Sequence, residues 1–181
     1  MKLECIVPPA REPVTVAEAN EFLRIDDDIE DSLVESFIVA ARMLCENYQH
    51  QAYYTQTLRL TTTLDECWGV VELPRSQCLQ KINKAIIKLA DGNTNEFKYH
   101  TYTGDIWTRM IPVETLPIDA ELVIEYVVGE DNPQIDDVKT AIKLLVSGMH
   151  NNRTPYSESN KPLQEVPFSV RALLNRGRVL L

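Results

Sequence analysis

The densest group of ionisable side chains is FLRIDDDIEDSL, residues 22 to 33, where Asp26, Asp27, Asp28, Glu30 and Asp31 stand between two apolar, helix-patterned segments. Clustered carboxylates can hold a divalent cation, share acid–base work, or complement the start of a helix. A calcium loop of the EF-hand kind needs Gly at its sixth position and Glu at its twelfth. Counted from Asp26, those positions hold Asp31 and Phe37, so the loop fails on both counts. A paired-carboxylate hydrolase needs acids converging from separate segments, which one run does not supply. Carboxylates at a helix start accept orphan N–H bonds and complement the macrodipole, each contributing a few tenths to about 1 kcal/mol. The cluster is read as a joint between two helices.

Other chemistry has little to stand on. No nucleophile elbow, Walker loop, dinucleotide fingerprint or H-E-x-x-H appears, and only six glycines serve phosphate-cradling turns. His50, His100 and His150 are far apart in sequence; His50 and His150 each close a helical pattern, where imidazolium would favour the dipole. Cys5, Cys45, Cys67 and Cys78 form no C-x-x-C, and Cys45 falls on an apolar helical stripe. The expectation is a chain without catalytic, cofactor-binding or metal-binding residues, that is, not an enzyme. The Asn152-Arg153-Thr154 acceptor triplet is read as chance, since the opening MKLECIVPPAREP is too short and proline-broken for a secretory signal. No apolar run approaches the roughly 20 residues that span a bilayer. Residence in a reducing cytoplasm follows as an expectation.

The elements that would position any site come in three groups. "TVAE" at 15–18 is a capping box, in which the Thr15 hydroxyl and the Glu18 carboxylate each bond the other's backbone N–H. Val16, Ala19, Phe22 and Leu23 make the apolar face of the helix that follows. A longer helix over about 29–49 is predicted from Ile29, Leu33, Phe37, Ala40, Ala41, Leu44 and Tyr48. From 55 to 128 the period switches to two: TLRLTTTL, VVELP, INKAIIKLADGNTNEFKYHTY (with a turn at Asp91–Gly92), DIWTRMI and ELVIEYVVG predict five or six antiparallel strands. Trp68 and Trp107 are read as filling or edging that module. Ile135, Val138, Ile142, Leu145 and Met149 return to helical spacing over 134–150. A polar, proline-bearing loop (151–167) and a short helix (168–177) close the chain. The fold class is therefore α+β: a helical core of about four helices, with a helix pair at 12–50, carrying an inserted antiparallel β module at 55–128, in one domain.

The charge is unevenly spread. Across 181 residues the net is −9, which disfavours general attraction to nucleic acid. Residues 15–50 carry nine acids against two arginines, and residues 168–181 carry Arg171, Arg176 and Arg178 with no acid. An acidic front and a basic tail suggest electrostatic docking between copies or with a partner. The apolar terminus Val179, Leu180 and Leu181 calls for cover, most simply from a neighbouring subunit.

The order and wording of these parts resemble the head–tail connector (adaptor) proteins of long-tailed bacteriophages and prophages. The resemblance rests on EPVTVAEANEFLRIDDDIEDSLVESFIVAARMLCENY, on ELPRSQCLQKI, on VIEYVVGEDNPQIDDVKTAIKLLVSGMHNNR and on VPFSVRALLNRGRV, together spanning about residues 12–178. Cys78 stands where that family commonly has proline. The resemblance implies a structural virion protein made in the host cytoplasm and resident in the virion neck. There it would form a ring, typically twelvefold, joining portal to tail and extending the DNA channel. Its implied partners are further copies of itself, the portal protein and a downstream tail or stopper protein, with DNA passing through the lumen without specific binding and no membrane involved. Expected interface residues are Arg171, Arg176 and Arg178 against Asp26, Asp27 and Asp31. Tyr156 lies in the loop expected to order on contact with a partner. Another neck component, such as a tail-completion or stopper protein, and an acidic cytosolic regulatory binding module are the alternatives.

Overall fold

The alternating segment around Leu58 and Leu60 forms the strand its pattern predicts, and one half of the molecule is built around it. A computed structural model describes residues 1–26, 29–67, 69–89, 92–104, 107–117, 120–131, 133, 135–152 and 168–178. The chain divides into two compact units, Met1–Ala10 with Gln51–Pro133, and Arg11–His50 with Gln134–Leu181. The first holds the strands and the second the α-helices, so the fold is α+β as the order of periods predicts.

The β unit contains β1 (Lys2–Val7), β2 (Gln56–Thr63), β3 (Val71–Leu73), β4 (Leu79–Lys88), β5 (Thr94–Glu96), β6 (Tyr99–Thr103), β7 (Thr108–Pro112) and β8 (Glu121–Val128). They form a five-stranded sheet in the order β1-β2-β8-β4-β5 and a three-stranded sheet in the order β3-β7-β6. All pairings between these strands are antiparallel. One apolar cluster is lined by both sheets, with Leu58, Leu60, Leu122, Ile124 and Tyr126 from the first and Val71, Leu73 and Met110 from the second. Tyr126 is buried there because its hydroxyl donates to the Pro74 carbonyl at 2.9 Å; burial pushes that hydroxyl's pKa upward.

Three features depart from the expected module. Residues 2–7, assigned no strand from sequence, form an edge strand on β2. The single strand expected after Gly92 divides in two: β5 pairs with β4, the chain turns through the buried Phe97, and β6 pairs with β7 in the other sheet. The predicted strand DIWTRMI begins at Thr108; Asp105 and Ile106 lie outside the described residues, as do Trp68 and Asp91.

β8 ends at Gly129 for a steric reason. Its φ is +92°, and a Cβ there would overlap the Tyr54 carbonyl and lie 2.9 Å from the Thr55 nitrogen. The close approach lets Gly129 N–H donate to Cys78 O, and Glu130 N–H to Tyr53 O, each at 3.1 Å.

The helical unit contains α1 (Val16–Leu23), α2 (Asp31–Gln49), α3 (Asp136–Asn151) and α4 (Phe168–Leu174), the last continued by one 3₁₀ turn over Asn175–Gly177. The capping box of α1 forms as expected: Thr15 N–H donates to Glu18 Oε2 at 2.8 Å and Glu18 N–H to Thr15 Oγ1 at 3.2 Å. The expected apolar face of α3 is also found, with Val138, Ala141, Ile142, Leu145 and Val146 buried.

The expectation for α2 needs correction. It starts at Asp31, not Ile29, and Ile29 is 82% exposed. Its buried face is Val34, Ile38, Ala41, Arg42, Cys45, Glu46 and Gln49, so the helix is rotated by about one residue from the most apolar stripe. Three polar side chains can be buried because each has a partner. Arg42 donates through Nε to Glu12 Oε2 at 2.7 Å and through Nη1 to Glu46 Oε2 at 2.9 Å, and Gln49 donates to the Leu174 carbonyl at 2.6 Å. Cys45 lies on this face, and its thiol pKa is pushed up to about 12, first by burial and then by the Glu46 charge.

Three single substitutions test this packing, each read by urea denaturation. Gly129→Ala is expected to cost about 3 kcal/mol. Gly148→Ala, in α3 with nothing within 4 Å of the new Cβ, is expected to add about 0.5–1 kcal/mol. Arg42→Ala removes the cation that two carboxylates share, one of them buried, and is expected to cost about 3–5 kcal/mol. The double change Arg42→Met with Glu46→Leu should recover most of that loss; an unrecovered loss would mean that the charges themselves stabilise the packing.

Candidate assembly surfaces

The acid joint has an inner and an outer side. Asp31 accepts a hydrogen bond from Asn20 Nδ2 at 2.6 Å, which ties the start of α2 to α1. Glu30 is the N-cap of α2 but makes no side-chain capping bond; its carboxylate lies 2.8 Å from His150 Nε2 at the end of α3. Asp31 stands in the first turn of α2, where a carboxylate complements the helix start, and both Asp31 and Glu30 also find partners on other helices. His150 does sit at a helix C-terminus, as its position in the sequence predicts. Outside this joint, Glu21, Asp26 and Glu35 are exposed and, among the described residues, make no ion pair. Asp27 lies outside the described residues.

The terminal arginines are not equivalent. Arg176 Nη1 lies 3.2 Å from Asp137 Oδ2, on α3. Arg178 stacks its guanidinium 4.7 Å from the centre of the Tyr48 ring, while the Tyr48 hydroxyl donates to Asn175 at 2.9 Å. Arg171 is exposed, with no ion pair among the described residues. The structure therefore ties two of the three expected interface cations to their own unit. Tyr156, and the loop from 153 to 167, lie outside the described residues, as do Val179, Leu180 and Leu181.

On the β unit, the solvent face of the larger sheet carries a row of alternating charge. Register places Glu4 opposite Arg59, Arg59 opposite Glu125, and Glu125 opposite Lys84. Arg59 takes Glu125 with two bonds of 3.0 and 2.9 Å, and Lys88 takes Glu121 at 2.6 Å. The exposed Lys88–Glu121 pair contributes about 1 kcal/mol at most, and with the part-buried Arg59–Glu125 pair it fixes which charges are engaged. Residues 73–90 contain Arg75, Lys81, Lys84 and Lys88 and no carboxylate, a local charge of +4 that exceeds the +3 of the tail. A running charge count would have found this stretch; its period-two pattern drew attention to its strand instead.

A cleft of about 360 Å³ beside β5 is lined by apolar Ile87, Leu89 and Leu116 together with Lys98 and Glu114, which pair with each other at 3.1 Å. Among the described residues, no three His, Cys, Asp or Glu side chains converge as metal ligands. Among the described residues no helix is long and apolar enough to cross a membrane.

No family model and no curated protein sequence matches the chain. Solved structures do. The chain is similar over 100% of its length to a chain from the neck of an empty gene transfer agent particle computed with C6 symmetry, with a TM-score of 0.74, 19% identity and 97% of that chain covered. It is similar over the same shares of both chains to one from the virion of the native gene transfer agent particle (TM-score 0.71, 20% identity) and to one from the neck of the native particle computed with C12 symmetry (TM-score 0.67, 19% identity). At such identities the likeness is one of fold, and it extends over both units of the chain.

Proposed function

We propose that this chain is a structural protein of a phage-like particle neck, one segment of a ring that joins the portal of the head to the tail and extends the DNA channel. The observation that carries this reading is the end-to-end fold likeness to neck chains, with nearly the whole of each chain covered. The sequence resemblance to head–tail connectors was drawn from different observations, the capping box, the L-P-R strand entry and the closing arginine helix, and it points the same way.

The physical chemistry of the chain suits such a role. A ring needs a heterologous interface, in which two different patches of one subunit meet and a rotation closes the circle. The two units offer surfaces of different chemistry: exposed carboxylates Glu21, Asp26 and Glu35 on one, and a mixed charge row on the other. A net charge of −9 favours a lumen along which DNA slides without adhering, because like charges suppress phosphate contacts. The ionisable contacts described above tie one element to another, which is how a part that works by shape uses its charges. Twelve copies per ring is the number we adopt.

Particles produced without this chain test the proposal by electron microscopy. Filled heads lacking tails are the expected product, with tailed particles restored when the chain is supplied in trans. A normal yield of tailed, infectious particles in its absence would overturn the assignment, and symmetry analysis of the restored neck checks the copy number.

A further inference from the structure

Resting on this ring reading, we propose that neighbouring copies meet through strand β4. Lys81 and Lys84 of one copy face Glu21, Asp26 and Glu35 on the helical unit of the next.

Four observations lead there. Residues three apart on a regular strand point to opposite faces, so Lys81 and Lys84 would ordinarily be divided between solvent and core. Two bulges in β4, between Leu79 and Lys81 and between Ile82 and Lys84, change that phase. Both lysines are exposed, while Ile82 and Ala85, also three apart, both pack on the apolar cluster. Bulges interrupt ladder hydrogen bonds and re-aim side chains. Here they gather Gln80, Lys81, Asn83 and Lys84 on the solvent side.

Second, these cations are left over within the chain. The carboxylate opposite Lys84 is Glu125, already held by Arg59, and Lys81 stands opposite Val127. Among the described residues neither lysine makes an ion pair. Arg24, Lys139, Lys143, Arg171 and Arg178 also make none, but Arg24 lies in sequence between Glu21 and Asp26, Lys139 and Lys143 are half-buried near Glu18, Arg178 stacks on Tyr48, and Arg171 is on a seven-residue helix.

Third, the stretch that contains them, 73–90, is a basic interval of +4 in a chain of net −9. Fourth, the complementary surface is present on the same molecule: residues 15–50 carry a net of −7, and Glu21, Asp26 and Glu35 are exposed there. The stripe from Lys81 to Lys88 is roughly 20 Å long, comparable with the roughly 28 Å of α2, so the two can lie side by side. A second copy fits this stripe better than DNA does. Duplex DNA presents one charge per about 1.7 Å and would meet Glu4, Glu121 and Glu125 on the same sheet face, whereas a protein surface can place a few carboxylates opposite the two lysines alone.

The test is complementation of particles that lack the chain, scored by counting tailed particles. Wild-type chain, the Lys81→Glu/Lys84→Glu variant, the Glu21→Lys/Glu35→Lys variant and the fourfold charge swap are supplied in turn, each first checked for an unchanged thermal melt. Each double variant is expected to lower the tailed fraction by about tenfold or more, and the fourfold swap to restore most of it. If wild-type chain is not needed for tails, the neck assignment itself fails. If it is needed and the lysine variant supports tails as well as wild type, this interface is wrong. A lysine variant that fails and is not rescued by the fourfold swap assigns Lys81 and Lys84 to another partner, DNA or a head protein, and equally overturns the contact between copies.

Discussion

Arg42 carries a full positive charge into the interior of the helical unit, 4% exposed, and the packing of that unit follows from how the charge is compensated. Glu46, one turn further along α2, supplies one carboxylate, and Glu12, before α1 begins, supplies the other. A buried guanidinium with one bond would be strongly destabilising; with two it is tolerated, and it also holds the segment before α1 against α2. The face of α2 that turns inward is therefore the face with Arg42 and Glu46, and the richer apolar stripe of Leu33, Phe37 and Leu44 is left only partly covered. Gln49 extends the same logic to the end of α4 through the Leu174 carbonyl.

The β unit answers to a different constraint, the continuity of its apolar face. β8 runs between β2 and β4 and gives Leu122, Ile124, Tyr126 and Val128 to the core. Its neighbours must match that alternation. β2 does so without irregularity; β4 does so only with two bulges, which keep Ile82 and Ala85 inward despite their odd spacing. The polar residues displaced to the other side then form a surface whose composition is a by-product of core register. That surface can vary without disturbing the core, since Lys81 and Lys84 are both exposed.

Fold likeness at 19% identity to chains of a particle neck is understandable on these terms. Such a fold asks for a period, a few caps and a few backbone exceptions such as Gly129, and many sequences meet those demands. Surfaces are freer, so each lineage can carry its own charge pattern between copies. Surface residues are consequently the least transferable part of the likeness.

Local chemistry was legible from sequence alone: the Thr15–Glu18 box, the alternation of β2 and β8 and the stripe of α3 depend on residues within a few positions of one another, and the α+β class follows from their order, whereas Gly129 marks the end of β8 locally but owes it to the distant Tyr54 backbone. What involves distant partners was not. β1 reads as an irregular opening because its pairing with β2 lies more than fifty residues away. The change of sheet at Phe97 has no local marker, since both halves are extended. Nothing local in the acid joint marks Asn20 as the partner of Asp31 or His150 as the partner of Glu30. The inward face of α2 is hidden for the same reason: a hydrophobicity pattern cannot register that Glu12, thirty residues before Arg42, neutralises its charge. Sequence determined the periods; the tertiary structure decided the phase, because phase is set by which distant group satisfies a buried charge or an open backbone bond.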